Sequence, residues 1–402
     1  MKGNLVIGQS GGPTMVINQS LVGLVKEALK HEEFQGIYGA ENGIVGILEE
    51  RFIDLRQESD NTLEKVAFTP SSALGTCRHK PTEGDCKKVF EVFEKHSVKY
   101  FFYIGGNDSA DTCHIVNEIA KKEGYELRIF HIPKTIDNDL PLNDFCPGYP
   151  SAAKYVAESF IGNDLDNRAL PGVKIDVVMG RHAGWLTAAA ALARQKEDDG
   201  PHLIYLPETP LSVTDFVRDI DNVYEQHGRC LVAVSEGITN ANGKSIGEML
   251  TSKKDSHGNV QLSGSGALGD MLVNYVEMHS KHKNMRVRTD TLGYAQRSFP
   301  GTQSEVDSKV AYMVGKEAIL YALKGDIDGS IAISRLSKEG NDPVFETDLV
   351  ELKEVAQKTR TVPKKFISES GNNVTWSFIE YARPLVGELP VKGYLEKTRV
   401  YR

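Results

Sequence analysis

Cysteine is scarce and unpaired in this chain: Cys77, Cys86, Cys113, Cys146 and Cys230 are the only five in 402 residues, and no two form a C-x-x-C pair. That pattern argues against a disulfide framework or a zinc site and fits free thiols in a reducing compartment. No apolar stretch approaches the ~20 residues that cross a bilayer, so no membrane partner is expected. An excess of positive charge is missing as well. With 47 Lys+Arg against 55 Asp+Glu the net charge is −8, which speaks against a general nucleic-acid binder. The opening residues, Met1-Lys2-Gly3-Asn4, pass straight into a strand-like run and leave no room for a signal peptide. A cytoplasmic protein is the expectation. No internal repeat or low-complexity tract stands out, and no G-x-G-x-x-G follows the first strand, as a dehydrogenase of the dinucleotide-binding class requires.

What is there is a nearly continuous alternation of strand and helix patterns, in a chain long enough for two domains. Leu5-Val6-Ile7 leads into Ser10-Gly11-Gly12-Pro13 and a helix over 16–29. A turn-rich loop over 69–84 precedes a helix over 87–94. Tyr100-Phe101-Phe102-Tyr103-Ile104 reads as a strand buried on both faces, followed by a helix over 109–122 and a strand over 129–132. The second half repeats the rhythm, with helices over 152–161, 185–194 and 213–227 and strands over 175–179, 203–206 and 231–234. Such βαβ units in series predict mainly parallel sheets. The polar, glycine-rich stretch 239–266 reads as a surface insertion, and beyond about 346 the alternation weakens.

Chemistry concentrates where strands hand over to helices or loops, which is where open α/β sheets place ligands. Ser10-Gly11-Gly12 offers backbone N–H groups and a helix start to an anion, or is simply a tight turn. Gly105-Gly106-Asn107-Asp108-Ser109 repeats that geometry with side chains able to ligate a metal, the plainer reading being a helix start capped by Asp. Pro133-Lys134-Thr135-Ile136-Asp137-Asn138-Asp139 is the most specific segment. It supplies an ammonium, a hydroxyl and two carboxylates, and alternation in an extended segment would turn Asp137 and Asp139 to one cleft. Together these blocks describe a Mg²⁺-dependent phosphoryl-transfer site. Met179-Gly180-Arg181-His182-Ala183-Gly184-Trp185 adds a planar cation for phosphate, while His182 is assigned no role and Trp185 is read as packing. Ser235-Glu236-Gly237, the run from Arg288 to Arg297, and Arg78 complete the candidates.

The set resembles the phosphofructokinase family, in order from Ser10 to about Arg297. The carriers are Gly-Gly near the N-terminus, Gly-Gly-x-x-Ser, Thr-Ile-Asp-Asn-Asp, Met-Gly-Arg, Ser-Glu-Gly and Leu-Gly-Tyr-x-Gln-Arg. The resemblance implies an α/β fold of two Rossmann-like three-layer α/β/α domains with mainly parallel sheets. A phosphoryl-donor domain would comprise 1–148 plus about 298–345. A sugar-phosphate domain would comprise 149–297 plus about 346–402. By the same resemblance Asp137 is the base for the C1 hydroxyl of fructose 6-phosphate, with Arg181 the second catalytic residue. Thr135, Ile136, Met179, Gly180, Arg181 and Glu236 would line the sugar site, and Tyr294 and Arg297 would hold its 6-phosphate. Arg288 would reach across the interface of a homodimer or homotetramer. Gly11, Gly12, Arg78 and Lys134 would touch the phosphoryl donor, and Asn107, Asp108 and Asp139 would place Mg²⁺.

Two positions bear on the donor. ATP-using members typically carry Gly where this chain has Asp108 and Lys134, and the Asp/Lys combination looks like the pyrophosphate-dependent branch. Asp108 adds bulk and negative charge where an inner phosphate of ATP would lie, whereas Lys134 adds a point cation near a compact, highly charged donor. The chain departs from the ATP-using pattern at Asn107, usually Asp, and in having no arginine before the strand that ends at Met179, where Lys174 is near. The expected reaction is reversible transfer from pyrophosphate to fructose 6-phosphate. An ATP-dependent 6-phosphofructokinase and a non-catalytic sugar-phosphate sensor are the alternatives. An NAD or lipid kinase lacks Thr-Ile-Asp-Asn-Asp and Met-Gly-Arg.

Overall fold

The computed structural model describes residues 1–250, 264, 266–325, 327–336 and 343–395. Eleven strands are arranged in two sheets among these residues: β1 Gly3–Gln9, β2 Phe34–Ala40, β3 Phe52–Asp54, β4 Val98–Gly105, β5 Arg128–Pro133, β6 Val173–Val178, β7 Leu203–Tyr205, β8 Cys230–Ser235, β9 Val287–Thr291, β10 Gly329–Arg335 and β11 Phe345–Val350. The larger sheet runs β11-β10-β5-β4-β1-β2-β3 and the smaller β7-β8-β6-β9. The pairs from β10 through β2 are parallel and only the edge strands β3 and β11 are antiparallel. Every pair in the smaller sheet is parallel.

Parallel sheets need helices on both faces, and the strand compositions follow from that. Tyr100, Phe101, Phe102, Tyr103 and Ile104 of β4 are all buried, so their aromatic rings fill the layers on either side of the sheet. Each large apolar side chain so buried contributes roughly 2 kcal/mol. The helix Ile17–Ala28 packs against Glu305–Leu323 so closely that a Cβ on Gly23 would lie 2.2 Å from the Tyr312 carbonyl oxygen. The result is the expected α/β fold of two layered sheets. All five cysteines are free, and no helix among the described residues is long and apolar enough to cross a membrane.

β11 pairs along its whole length with β10, which places residues 345–350 in the larger sheet. One expectation needs correction. The helix expected over 152–161 is twice as long, spanning Tyr149–Ala169. Its far turns carry Asn163, Asp164, Asp166, Asn167 and Arg168 in place of an apolar stripe, and the helix stops just before Pro171-Gly172. Of the insertion expected at 239–266, the first part forms a short bridge, Thr239 to Ser245, and a turn of helix at Ile246–Leu250. Residues 251–263 and 265 lie outside the described residues.

Candidate active site

Strand order in the larger sheet reverses at β1, whose successors lie on opposite sides of it, and such a reversal opens a crevice at the carboxyl ends of the strands. The Ser10 N–H donates to the Ile104 carbonyl (2.9 Å), which sets the Gly11-Gly12 turn beside Gly105-Gly106. Gly106 caps the helix Asn107–Glu123 without any side-chain bond, so Asp108 is not the cap; it stands exposed on the first turn. The Gly11 N–H is engaged by the Cys77 carbonyl (3.1 Å), so it does not face an anion as the sequence suggested. What faces this turn is cationic. The Lys134 Nζ donates to the Gly12 carbonyl at 2.7 Å, and a Cβ on Gly12 would stand 3.1 Å from the guanidinium carbon of Arg297.

Lys134 follows β5 directly, its own N–H donating to the Gly105 carbonyl (2.9 Å). Burial pushes its ammonium down to about 7, and Arg297 and Arg78 add to the effect by repulsion. The next residues form a turn and not the extended segment expected, because Asn138 has a left-handed backbone (φ +55°). Asp137 and Asp139 nonetheless come close enough to influence each other's ionisation. Burial pushes Asp139 up to about 7, assisted by the charge of Asp137. Burial also raises Asp137, opposed by Arg297, Arg181, Lys134 and His182. Ile136 packs into the core, so only its backbone is open to a ligand.

Asn107 and Asp139 meet at 2.6 Å, amide Nδ2 to carboxylate Oδ2. That contact leaves Asn107 Oδ1 and Asp139 Oδ1 buried without hydrogen bonds. Two orphan oxygens suit a hard divalent cation that keeps waters and takes its other ligands from a phosphate. Among the described residues no three His, Cys, Asp or Glu side chains form a closed metal cage.

The smaller sheet brings its motifs to the same cleft. Gly180 ends the β6 segment with φ +136° and no room for a Cβ, which would lie 2.5 Å from the Ala183 carbonyl oxygen. Around it, Ser235 Oγ donates to the Gly180 carbonyl (2.6 Å), and the Met179 N–H donates to Gln296 Oε1 (3.3 Å). The loops after β6, β8 and β9 thereby lock together and carry Arg181, Glu236 and Arg297. Arg297 is largely buried, faces Asp137 and Glu236, and lies 5.1 Å over the Tyr294 ring, which is half exposed. Arg288 is elsewhere. It sits on the edge strand β9 and binds Asp166 (2.7 Å) and the Leu170 carbonyl (2.9 Å) in its own chain.

The structure thus gathers Gly12, Arg78, Asn107, Lys134, Thr135, Asp137, Asp139, Met179, Gly180, Arg181, Glu236 and Arg297 around one cleft. Sequence reasoning missed Gln296 and Ser235 as organisers of that cleft, although both lie inside motifs it had marked.

The Phosphofructokinase family model matches residues 4–322, and the chain belongs to that family. Among curated relatives, the pyrophosphate–fructose 6-phosphate 1-phosphotransferase of Rhodospirillum rubrum is 54% identical over 402 residues, covering 99% of this chain and 98% of the relative. The protein of the same name from Halomonas elongata is 35% identical, covering 99% and 97%. A crystal structure of the pyrophosphate-dependent phosphofructokinase from Marinobacter aquaeolei superposes with a TM-score of 0.83 at 33% identity, covering 98% of this chain and 94% of that one.

Proposed function

We propose that this chain transfers a phosphoryl group reversibly from pyrophosphate to the C1 hydroxyl of fructose 6-phosphate, giving fructose 1,6-bisphosphate and phosphate. The observation that carries the donor choice is Lys134, whose buried ammonium lies on the Gly12 carbonyl with Arg297 and Arg78 nearby. A short, densely charged anion matches this compact set of cations, and relatives of high identity bear a name with the same donor.

Asp137 is the base in this reading. Burial raises its proton affinity toward the range a base needs, and Arg181 and Arg297 keep the carboxylate from rising too far. These two arginines would also offset charge that develops on the transferred group. Asn107 and Asp139 would hold Mg²⁺ through their orphan oxygens, with Asp108 on the same first helical turn as Asn107. When bound, the ion neutralises phosphate charge. Thr135, Met179, Gly180 and Glu236 line the sugar, with the Ile136 backbone, while Tyr294 and Arg297 reach its 6-phosphate. The larger sheet forms the donor domain and the smaller the sugar domain. In a homo-oligomer Arg288, on an edge strand, would serve a neighbouring site.

The donor assignment is tested by Asp108→Gly combined with Lys134→Gly. Pyrophosphate use should weaken and ATP use become measurable, and non-additive effects of the two substitutions would show that both residues act on the same donor. A folded double variant that binds fructose 6-phosphate and keeps its full pyrophosphate preference would remove both residues from donor selection.

A further inference from the structure

The two carboxylates of the cleft repel each other from an irregular loop, so something outside that loop must hold them. The loop's start is tied locally, the Thr135 N–H donating to the Pro147 carbonyl (3.1 Å) and the Asp137 N–H to the Thr135 hydroxyl (3.1 Å), but the backbone beyond is left-handed at Asn138 and Leu142. Further holding groups come from the C-terminal region. The Arg360 N–H donates to the Asp139 carbonyl at 2.7 Å, and its guanidinium donates to the Asn143 carbonyl at 2.5 Å. Asn138, the residue between the carboxylates, turns away from the cleft. Its amide donates to the Tyr381 hydroxyl (3.0 Å) while its oxygen accepts the Cys146 N–H (2.9 Å). The Tyr381 O–H in turn donates to the Asp144 carbonyl (2.7 Å) and accepts from Arg360 (3.3 Å).

The same residue reaches the sugar-side loop. The Arg360 guanidinium lies 4.4 Å over the ring of Trp185, and its carbonyl accepts the Trp185 indole N–H (3.4 Å). Two residues on, the Val362 N–H shares Glu208 Oε1 with the Gly184 N–H, at 2.8 and 2.9 Å. One short stretch therefore touches the loop after β5 and the loop after β6 at once. A planar fork is needed for this: it must donate in two directions within its plane and stack through its face. A lysine keeps the charge, but its point-like ammonium cannot reproduce the planar fork or stack through a flat face.

We propose that Arg360 and Tyr381 are positioning residues of the reaction, forming a clamp that sets the separation of the Asp137–Asp139 turn from the Gly180–Gly184 loop. The proposal rests on the reading of Asp137 as the base. Neither side chain is placed in contact with substrate, so they act on turnover through geometry, where a shift of about 1 Å costs about a hundredfold.

The test compares Arg360→Lys and Tyr381→Phe with the parent enzyme, using pyrophosphate, fructose 6-phosphate and Mg²⁺, with Asp137→Asn alongside. For each variant kcat is referred to the folded fraction measured by circular dichroism. Expected are kcat losses of about tenfold to a hundredfold, KM values within about twofold, and a higher Mg²⁺ concentration for half-maximal rate, since Asp139 is displaced. Tyr381→Phe removes one oxygen and keeps the ring, so it remains informative if Arg360→Lys unfolds. If the folded Tyr381→Phe protein keeps the parental kcat and Mg²⁺ dependence while Asp137→Asn is inactive, the clamp is overturned and the base stands. Full turnover in Asp137→Asn would instead overturn the base assignment.

Discussion

Lys134 is buried against the Gly12 carbonyl with Arg297 and Arg78 nearby, which concentrates positive charge at one point of the cleft. Lys134 is held down to about 7 against about 10.4 in an unfolded chain. Its folded value lies below the unfolded one, so between those limits the unfolded chain binds more protons and stability rises with pH. An anion in the cleft reverses the balance by favouring the ammonium. Inorganic phosphate added at a pH well above 7, without divalent metal, should therefore be bound with uptake of a proton. Calorimetry in buffers of different ionisation enthalpy measures it, and Lys134→Met should abolish it. Binding by the parent protein with no proton uptake would mean that Lys134 does not meet the phosphate. The sequence marked this lysine as a donor residue, but the carbonyl that holds it could not be read from spacing.

At the level of elements, the helix Tyr149–Ala169 is pinned at its start by a residue from another helix. Asp307, fully buried on Glu305–Leu323, accepts the N–H groups of Gly148 (2.8 Å) and Ser151 (3.0 Å) and the Ser151 hydroxyl (2.6 Å). Asp307→Ala leaves these donors buried and unpaired, which should cost about 2–3 kcal/mol and lower Tm, as a thermal melt will report. An unchanged Tm would show that the helix start is held by other contacts. Most strands were legible because burial on both faces demands an apolar run, as in β4, β6 and β8. β9 was not. Its sequence, VRTDT, belongs to an edge strand with partly exposed side chains and has no apolar run to betray it. β2, with two glycines, and β10, with two serines and a glycine, break the apolar run, while β11 is an edge strand of alternating partly exposed residues, and all three were missed.

In the whole molecule, a net charge of −8 coexists with a cleft that collects Arg78, Lys134, Arg181 and Arg297. A cleft can carry a local positive field that the overall charge does not reveal. Most motifs that meet in the cleft were readable because each sits at a strand end, with a glycine in all but the Lys134–Asp139 segment. Arg360 and Tyr381 were not, since they lie in a coil and a helix with no spacing signature and act through the backbone of another loop. The donor is the central question of this cleft's chemistry. Purified protein with Mg²⁺ and fructose 6-phosphate should be assayed with pyrophosphate and with ATP, following fructose 1,6-bisphosphate and phosphate by phosphorus NMR. Pyrophosphate should support turnover and ATP should not, and adding phosphate to fructose 1,6-bisphosphate should regenerate pyrophosphate. A higher kcat/KM with ATP than with pyrophosphate would contradict the account.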